Sequence, residues 1–110
     1  MSESSKRRVA WIVGASGDLG RATALWLAER GTRVVLSGRN LAELEELAEH
    51  IGSAAEPVIV PLDIRSNESV QRAFEQALQA TGHVDWLVNS TSLSIFGDPL
   101  ALEDDDWSAV

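Results

Sequence analysis

The sequence predicts an α/β domain, a doubly wound parallel sheet with strand order 3-2-1-4 and helices on both faces. Three observations carry that expectation. Short apolar runs alternate strictly with stretches whose apolar residues recur at helical spacing, and the connections between them are short. Such alternation implies parallel strands joined by right-handed crossovers. Gly31, Gly52 and Gly82 stand where the three helical stretches end, the usual place for a helix stop. Pro57 and Pro61 flank the third apolar run; proline has no N–H to give to a ladder, so that strand belongs at a sheet edge. The order 3-2-1-4 puts it there.

The elements follow in turn. Val9-Ala10-Trp11-Ile12-Val13 is a continuous apolar run closed by Gly14, the pattern of a strand buried on both faces. Leu19, Ala22, Thr23, Trp26 and Leu27 keep helical spacing as far as Gly31, and Val34-Val35-Leu36 is the second strand. Asn40 with Glu43 outlines a capping box. Behind it Leu41, Leu44, Leu47, Ala48 and Ile51 form one stripe, with Glu43, Glu45, Glu46 and Glu49 largely elsewhere on the helix. Val58-Ile59-Val60 is the third strand. Ser66 caps a third helix that carries Val70, Ala73, Phe74, Ala77 and Leu78 on one side. Val84 to Val88 is the fourth strand, with Asp85 at its entry and Asn89 at its end. A loop through Gly97 and Pro99 leads to Glu103–Asp106, an acidic first turn of another helix. Trp11, Trp26 and Trp86 are expected in the core, and Trp107 at the start of a packing face. Residues 1–8 are expected to be a flexible terminus, and 9–110 a half-domain of this architecture, incomplete at its C-terminus.

Composition removes several alternatives. A hydrophobic fraction of 45% and a charged fraction of 24% suit an ordered soluble domain. The net charge of −8 argues against nucleic acid or an anionic membrane as a partner. Any phosphate must therefore be held by local groups against an unfavourable global field. The chain has no cysteine, hence no disulfide framework and no thiolate metal site, which is compatible with the cytoplasm, the expected compartment. Lys6-Arg7-Arg8 precede an apolar run too short for a signal peptide, and nothing approaches the roughly 20 apolar residues of a membrane span. His50 and His83 sit near helix C-termini, where an imidazole suits the dipole. Glu103–Asp106 read as a solvated helix start rather than a cation site.

Two places carry chemistry. Gly14-Ala15-Ser16-Gly17-Asp18-Leu19-Gly20 joins the first strand to the first helix. Glycines there allow the tight turn, the close approach of backbone to phosphate, and the packing of helix on strand. The helix N-terminus offers free N–H groups and a partial positive charge to a pyrophosphate. The spacing is G-x-x-G-x-x-G, not the general G-x-G-x-x-G, so it is the strand–turn–helix setting that points to a dinucleotide. The second place is Ser37-Gly38-Arg39. An NAD site usually carries an acid about 20 residues past the loop to bind ribose hydroxyls. Gly38 stands there instead, and Arg39 offers paired N–H donors to a 2′-phosphate. NADP is the expected cofactor, with NAD as the alternative. The missing acid also argues against an S-adenosylmethionine site.

With these residues in place the chain, from about Val9 to Val110, resembles the N-terminal half of a short-chain dehydrogenase/reductase with its Rossmann-type sheet. The resemblance rests on the glycine loop, Ser37-Gly38-Arg39-Asn40, Leu62-Asp63-Ile64 and Val84-Asp85-Trp86-Leu87-Val88-Asn89. Gly97-Asp98-Pro99-Leu100 and Asp106-Trp107 also fit it. It implies an oxidoreductase that interconverts a carbonyl and an alcohol with a nicotinamide dinucleotide. Asp63 would contact the adenine amino group, with Ile64 beside the ring. Asn89 and its successors, Thr91 among them, would line the adenosine ribose. Ser16 and Leu19 would flank the phosphates and the nicotinamide side. It further implies a homo-oligomer for the full-length protein.

Departures from the family pattern are specific. Asp18 stands where the common loop has glycine, and the usual Asn-Asn-Ala-Gly is here Asn89-Ser90-Thr91-Ser92. The family's Tyr-x-x-x-Lys has no counterpart, because the chain contains no tyrosine and Lys6 is its sole lysine. No catalytic residue can be assigned, and the chain reads as truncated before the catalytic half. The rival reading is a non-catalytic dinucleotide-binding or redox-sensing module.

Overall fold

A computed structural model describes residues 7–90. In order they form β1 (Val9–Val13), α1 (Asp18–Glu29), β2 (Arg33–Ser37), α2 (Leu41–Ile51), a single 3-10 turn at Ser53–Ala55, β3 (Val58–Ile59), α3 (Asn67–Thr81) and β4 (Trp86–Asn89). The strands make one parallel sheet in the order β3-β2-β1-β4, as the alternation and the prolines predict. Val60 and Leu62 continue the pairing by donating to Leu36 and Gly38 oxygens at 2.9 and 3.0 Å. In an extended strand alternate N–H groups point to opposite sides. Pro61 falls between these two donors, where its missing N–H faces the open edge.

Strand period 2 sorts the core into two layers. Val9, Trp11 and Val13 join Val35, Val60 and Leu62 beneath Ala73 and Ala77 of α3. Ala10 and Ile12 join Val34 and Leu36 against Ala24 of α1 and Leu44 and Leu47 of α2. All five residues of β1 are buried, which places the central strand between both helical layers. Full burial of Leu44 and Leu47 contributes roughly 1.5–3 kcal/mol each to docking α2. Trp11 brings a polar atom into its layer, and its Nε1–H donates to the fully buried Ser37 hydroxyl at 2.8 Å.

Helix ends follow the sequence signals. Asn40 Oδ1 accepts from Glu43 N–H, and Ser66 Oγ from Ser69 N–H. Gly82 closes α3 in the left-handed region at φ 84°, its N–H donating to the Leu78 carbonyl. A residue with a side chain adopts that conformation only at a cost.

Several expectations are corrected. α1 does not bury the stripe through Leu19 and Trp26, which are 70% and 55% exposed. It buries Gly20 and Ala24, small residues that let the helix axis lie close to β1, with Leu25, Leu27 and Ala28 half-buried beside them and Leu19 and Trp26 turned outward. Trp26 instead carries the Arg30 guanidinium over its ring at 3.7 Å. Trp86 is also exposed rather than core, with the Arg8 guanidinium 5.3 Å from its ring centroid. It lies on the outermost of the four described strands. β4 begins at Trp86, not Val84, because Asp85 is spent on the strand entry: its carboxylate accepts from Val9 N–H at 2.7 Å, and its own N–H donates to Val9 O. Arg7 and Arg8, expected in the loose terminus, are held. Arg7 pairs with Glu56, and Arg8 O accepts from Arg33 N–H. Thr91, the loop through Gly97 and Pro99, Glu103–Asp106 and Trp107 lie outside the described residues. Among the described residues no helix is long and apolar enough to cross a membrane.

Candidate cofactor-binding site

The parallel order brings the C-terminal ends of β1, β2 and β3 and the N-terminus of α1 to one edge of the sheet. A cleft of about 500 Å³ opens there, within the ~300–1,000 Å³ of small-molecule sites. Its floor is the glycine loop. Gly14 takes φ 84°, and this left-handed turn aims the N–H groups of Gly14 and Ala15 at the Ser37 carbonyl, at 2.9 and 3.0 Å. That pair of bonds ties the loop to the end of β2. Gly17 N–H closes the turn on Gly14 O at 3.1 Å, and Gly17 is the N-cap of α1. The N–H groups of the first helical turn, next to the Gly17 that lines the cleft, have no intrahelical partners, as an anion site requires.

The three loop glycines differ in why they are glycine. A Cβ on Gly20 would lie 2.2 Å from Gly14 O, 2.6 Å from Ser90 Oγ and 2.9 Å from Ala15 Cα. Gly20 is there for close packing of helix on strand. A Cβ on Gly17 would meet only Gly14 O at 3.5 Å, an ordinary contact. Nothing among the described residues crowds that position. Gly14 is the turn itself.

Gly38 and Arg39 follow β2 on the cleft wall, and Asp63 and Ile64 follow β3. A Cβ on Gly38 would lie 3.3 Å from Ser16 Oγ, so the two predicted sites abut. Asp63 Oδ1 accepts from Arg65 N–H at 3.1 Å and from Arg65 Nε at 3.4 Å. The backbone N–H of Arg65, then its guanidinium, with Arg39 behind, holds the Asp63 carboxyl below its ordinary 3.8 despite partial desolvation. Asp63 is thus an ionised acceptor at neutral pH.

Of the residues expected from sequence, Gly14, Ser16, Gly17, Gly38, Arg39, Asp63 and Ile64 line the cleft together. Gly20 lies beneath the loop, and Leu19 projects outward from the first turn of α1. Asn89 sits beside Val13 in register at the end of β4, outside the cleft lining. Sequence reasoning missed Arg65 as a lining residue and covered Ser90 only as a successor of Asn89. Arg65 had a readable signal, since an Asp two residues before it invites a side-chain-to-backbone turn. The Ser90 hydroxyl donates to Val13 O at 2.8 Å and lies 3.3 Å from Gly14 O, a link with no signal in the sequence.

Residues 8–110 match the family model described as short chain dehydrogenase. The chain belongs to the short-chain dehydrogenase family. It is 32% identical over 103 residues to an uncharacterized oxidoreductase of Listeria monocytogenes, covering 93% of this chain and 42% of that protein. A Staphylococcus aureus protein, also named an uncharacterized oxidoreductase, is 31% identical, with 94% and 44% covered. The chain spans about two-fifths of the length of these short-chain dehydrogenase relatives. Among solved structures it is similar to a metagenomic short-chain oxidoreductase in complex with NADP, at TM-score 0.76 and 30% identity, covering 98% of this chain and 50% of that one. It is also similar to an alcohol dehydrogenase of the archaeon Thermococcus sibiricus complexed with 5-hydroxy-NADP, at TM-score 0.75 and 29% identity, covering 93% and 44%. A third is an actinorhodin polyketide ketoreductase with NADPH, at TM-score 0.78 and 26% identity, covering 97% and 41%. Strand order 3-2-1-4 with helices on both faces is the fold expected of a short-chain dehydrogenase.

Proposed function

We propose that this chain binds the ADP end of a nicotinamide dinucleotide, NADP in preference to NAD, as the cofactor-binding part of an oxidoreductase that interconverts a carbonyl and an alcohol. One observation carries the NADP preference: the cleft wall after β2 presents Gly38 and then Arg39, a guanidinium where an NAD site places an acid. The similar solved structures named with NADP, 5-hydroxy-NADP and NADPH support the same cofactor class. The cleft volume and the glycine floor fit a pyrophosphate laid across the start of α1. Bound there, the dinucleotide supplies hydride exchange at its nicotinamide. This chain's own residues bind and orient: Gly14, Ser16 and Gly17 with the helix N–H groups take the pyrophosphate, and Arg39 takes the 2′-phosphate. Asp63 and Ile64 take the adenine, while Asn89, Thr91 and Leu19 serve the ribose and nicotinamide side. The compartment assigned is the cytoplasm, and the full-length protein is assigned as a homo-oligomer.

Paired titrations of NADPH and NADH test the preference. A charge-assisted hydrogen bond contributes about 1.5–3 kcal/mol, so Arg39→Ala should weaken NADPH roughly tenfold or more and leave NADH nearly unchanged. Gly38→Asp should move preference toward NADH by adding ribose acceptors and repelling phosphate. Its Cβ needs only a small adjustment of the Ser16 hydroxyl at 3.3 Å. Equal losses of both cofactors in Arg39→Ala would refute the NADP assignment. A non-catalytic dinucleotide-binding or redox-sensing module is the second reading, for which the G-x-x-G-x-x-G spacing of Gly14, Gly17 and Gly20 speaks. A coding frame that continues into Tyr-x-x-x-Lys favours the enzyme.

A further inference from the structure

We infer that Arg65 is a positioning residue for base recognition, clamping one oxygen of Asp63 so that the other is presented to an exocyclic amino group. The inference rests on the dinucleotide reading and goes beyond it, since Arg65 acts through Asp63 rather than on phosphate. Asp63 is fixed from three directions. Its N–H donates to Ser69 Oγ at 3.0 Å, and its carbonyl accepts from Ser66 N–H at 3.1 Å. Both partners belong to the start of α3, so the backbone of Asp63 is anchored to a helix that is itself packed on the sheet. The carboxylate is then turned by Arg65, whose N–H and Nε both reach Oδ1. Two donors from one residue saturate that oxygen and consign Oδ2 to a ligand. Asp63, Ile64 and Arg65 line the cleft in succession, giving an acceptor, an apolar wall and the clamp.

An ionised carboxylate accepts and cannot donate. A purine with an amino group at the ring position facing Oδ2 is held, whereas one with a carbonyl there meets lone pair against lone pair. With the Arg65 side chain removed, Oδ1 keeps the backbone N–H and loses Nε, so the carboxylate turns more freely about its side chain, its acid strength falls part of the way back toward the ordinary value, and discrimination between the two purines declines. A direct phosphate contact by Arg65 would behave differently, weakening every phosphorylated dinucleotide alike.

The experiment uses the whole chain, with NADPH and its hypoxanthine counterpart, which differs only in a carbonyl for the 6-amino group, titrated at fixed ionic strength. An unpaired polar group against a fixed acceptor is discriminated strongly, so the parent should prefer NADPH by about tenfold or more. Asp63→Asn should erase the preference. Arg65→Ala should reduce it to about threefold or less, chiefly by weakening NADPH, and Arg65→Lys should restore part of it through charge without the fork. In Arg65→Ala the acid limb of NADPH binding should also move to higher pH. Circular dichroism melts establish that the variants are folded, and Arg65→Gln, which keeps the side-chain stem, replaces alanine if the latter is not. An unchanged preference in Arg65→Ala, or equal weakening of both purines, overturns the inference while an Arg39→Ala loss specific to NADPH leaves the cofactor reading standing. A parent that binds neither purine form overturns both.

Discussion

Gly17 and Gly20 stand three residues apart, yet only Gly20 is tightly packed, and alanine at each separates packing from the proposed binding. At Gly20 the new methyl would sit 2.2 Å from Gly14 O, more than an ångström inside ordinary contact. The oxygen cannot retreat freely, because it accepts from Gly17 N–H at 3.1 Å and lies 3.3 Å from the Ser90 hydroxyl. The helix must lift from β1 or the loop must break. Overpacking costs about 1–3 kcal/mol, here toward the upper end because backbone meets backbone. The helical gain of alanine over glycine offsets about 1 kcal/mol. The net loss of about 1–2 kcal/mol corresponds to a fall in Tm on the order of 5–15 °C for a chain of this size. At Gly17 the methyl finds 3.5 Å to the same oxygen, and φ of −79° suits alanine. Stability should then change by less than about 1 kcal/mol, the cost of a poorer N-cap. NADPH binding should nonetheless weaken by about tenfold or more, since the methyl projects where the phosphate must approach the first helical N–H groups. Thermal melts by circular dichroism and cofactor titrations on both variants check this. A Gly20→Ala protein that melts with the parent, or a Gly17→Ala protein that binds NADPH like the parent, would refute the division of roles.

Ser37→Ala should destabilise by about 1–3 kcal/mol, because it strands the buried Trp11 Nε1–H, and Trp11→Phe should make the second change much less costly. Denaturant melts of the two single variants and the double variant measure the coupling, and additivity would contradict the hydrogen bond. Asp63 should titrate below 3.8 in a carbon-detected NMR experiment, and Arg65→Ala should raise its midpoint. Because the folded value is depressed, the Arg65 contact helps the fold above the ordinary value and is lost as pH falls through the folded one. Any weakening from this contact should therefore be confined below about pH 3.8. A midpoint at or above 3.8 would count against the clamp.

Much of the fold was legible because its signals are local. The apolar run Val9–Val13 demanded burial on both faces, and Pro57 and Pro61 forced the third strand outward; together they set the order. What failed was the choice of face on α1. The spacing of Leu19, Ala22 and Trp26 is as helical as that of Gly20, Ala24 and Leu27, and hydrophobicity favours Leu19 and Trp26 over Gly20 and Ala24. Closeness decided instead, because the loop at Gly14 brings the helix so near the strand that only small residues fit at 20 and 24, with Leu25 and Leu27 packing at the flanks. A periodicity that weighs side chains by apolarity is blind to a face chosen for thinness. The same blindness placed Trp26 and Trp86 in the core, when both instead carry arginine guanidinium groups over exposed rings.

The site divides along a similar line. Gly14, Gly17, Gly38 and Arg39 could be read because each follows a strand end, and a parallel sheet gathers such ends at one edge whatever the details of packing. Arg65 was within reach by the same local logic, two residues beyond an aspartate. Ser90 was not, since its link to Gly14 spans 76 residues of sequence and depends on β4 lying beside β1. Once that pairing exists, Ser90 N–H and Oγ both close on the Val13 carbonyl. This braces the loop from the side opposite Ser37, whose carbonyl already holds Gly14 and Ala15. The glycine loop is therefore suspended between β2 and β4. Its shape is set by those two neighbouring strands as much as by its own glycines.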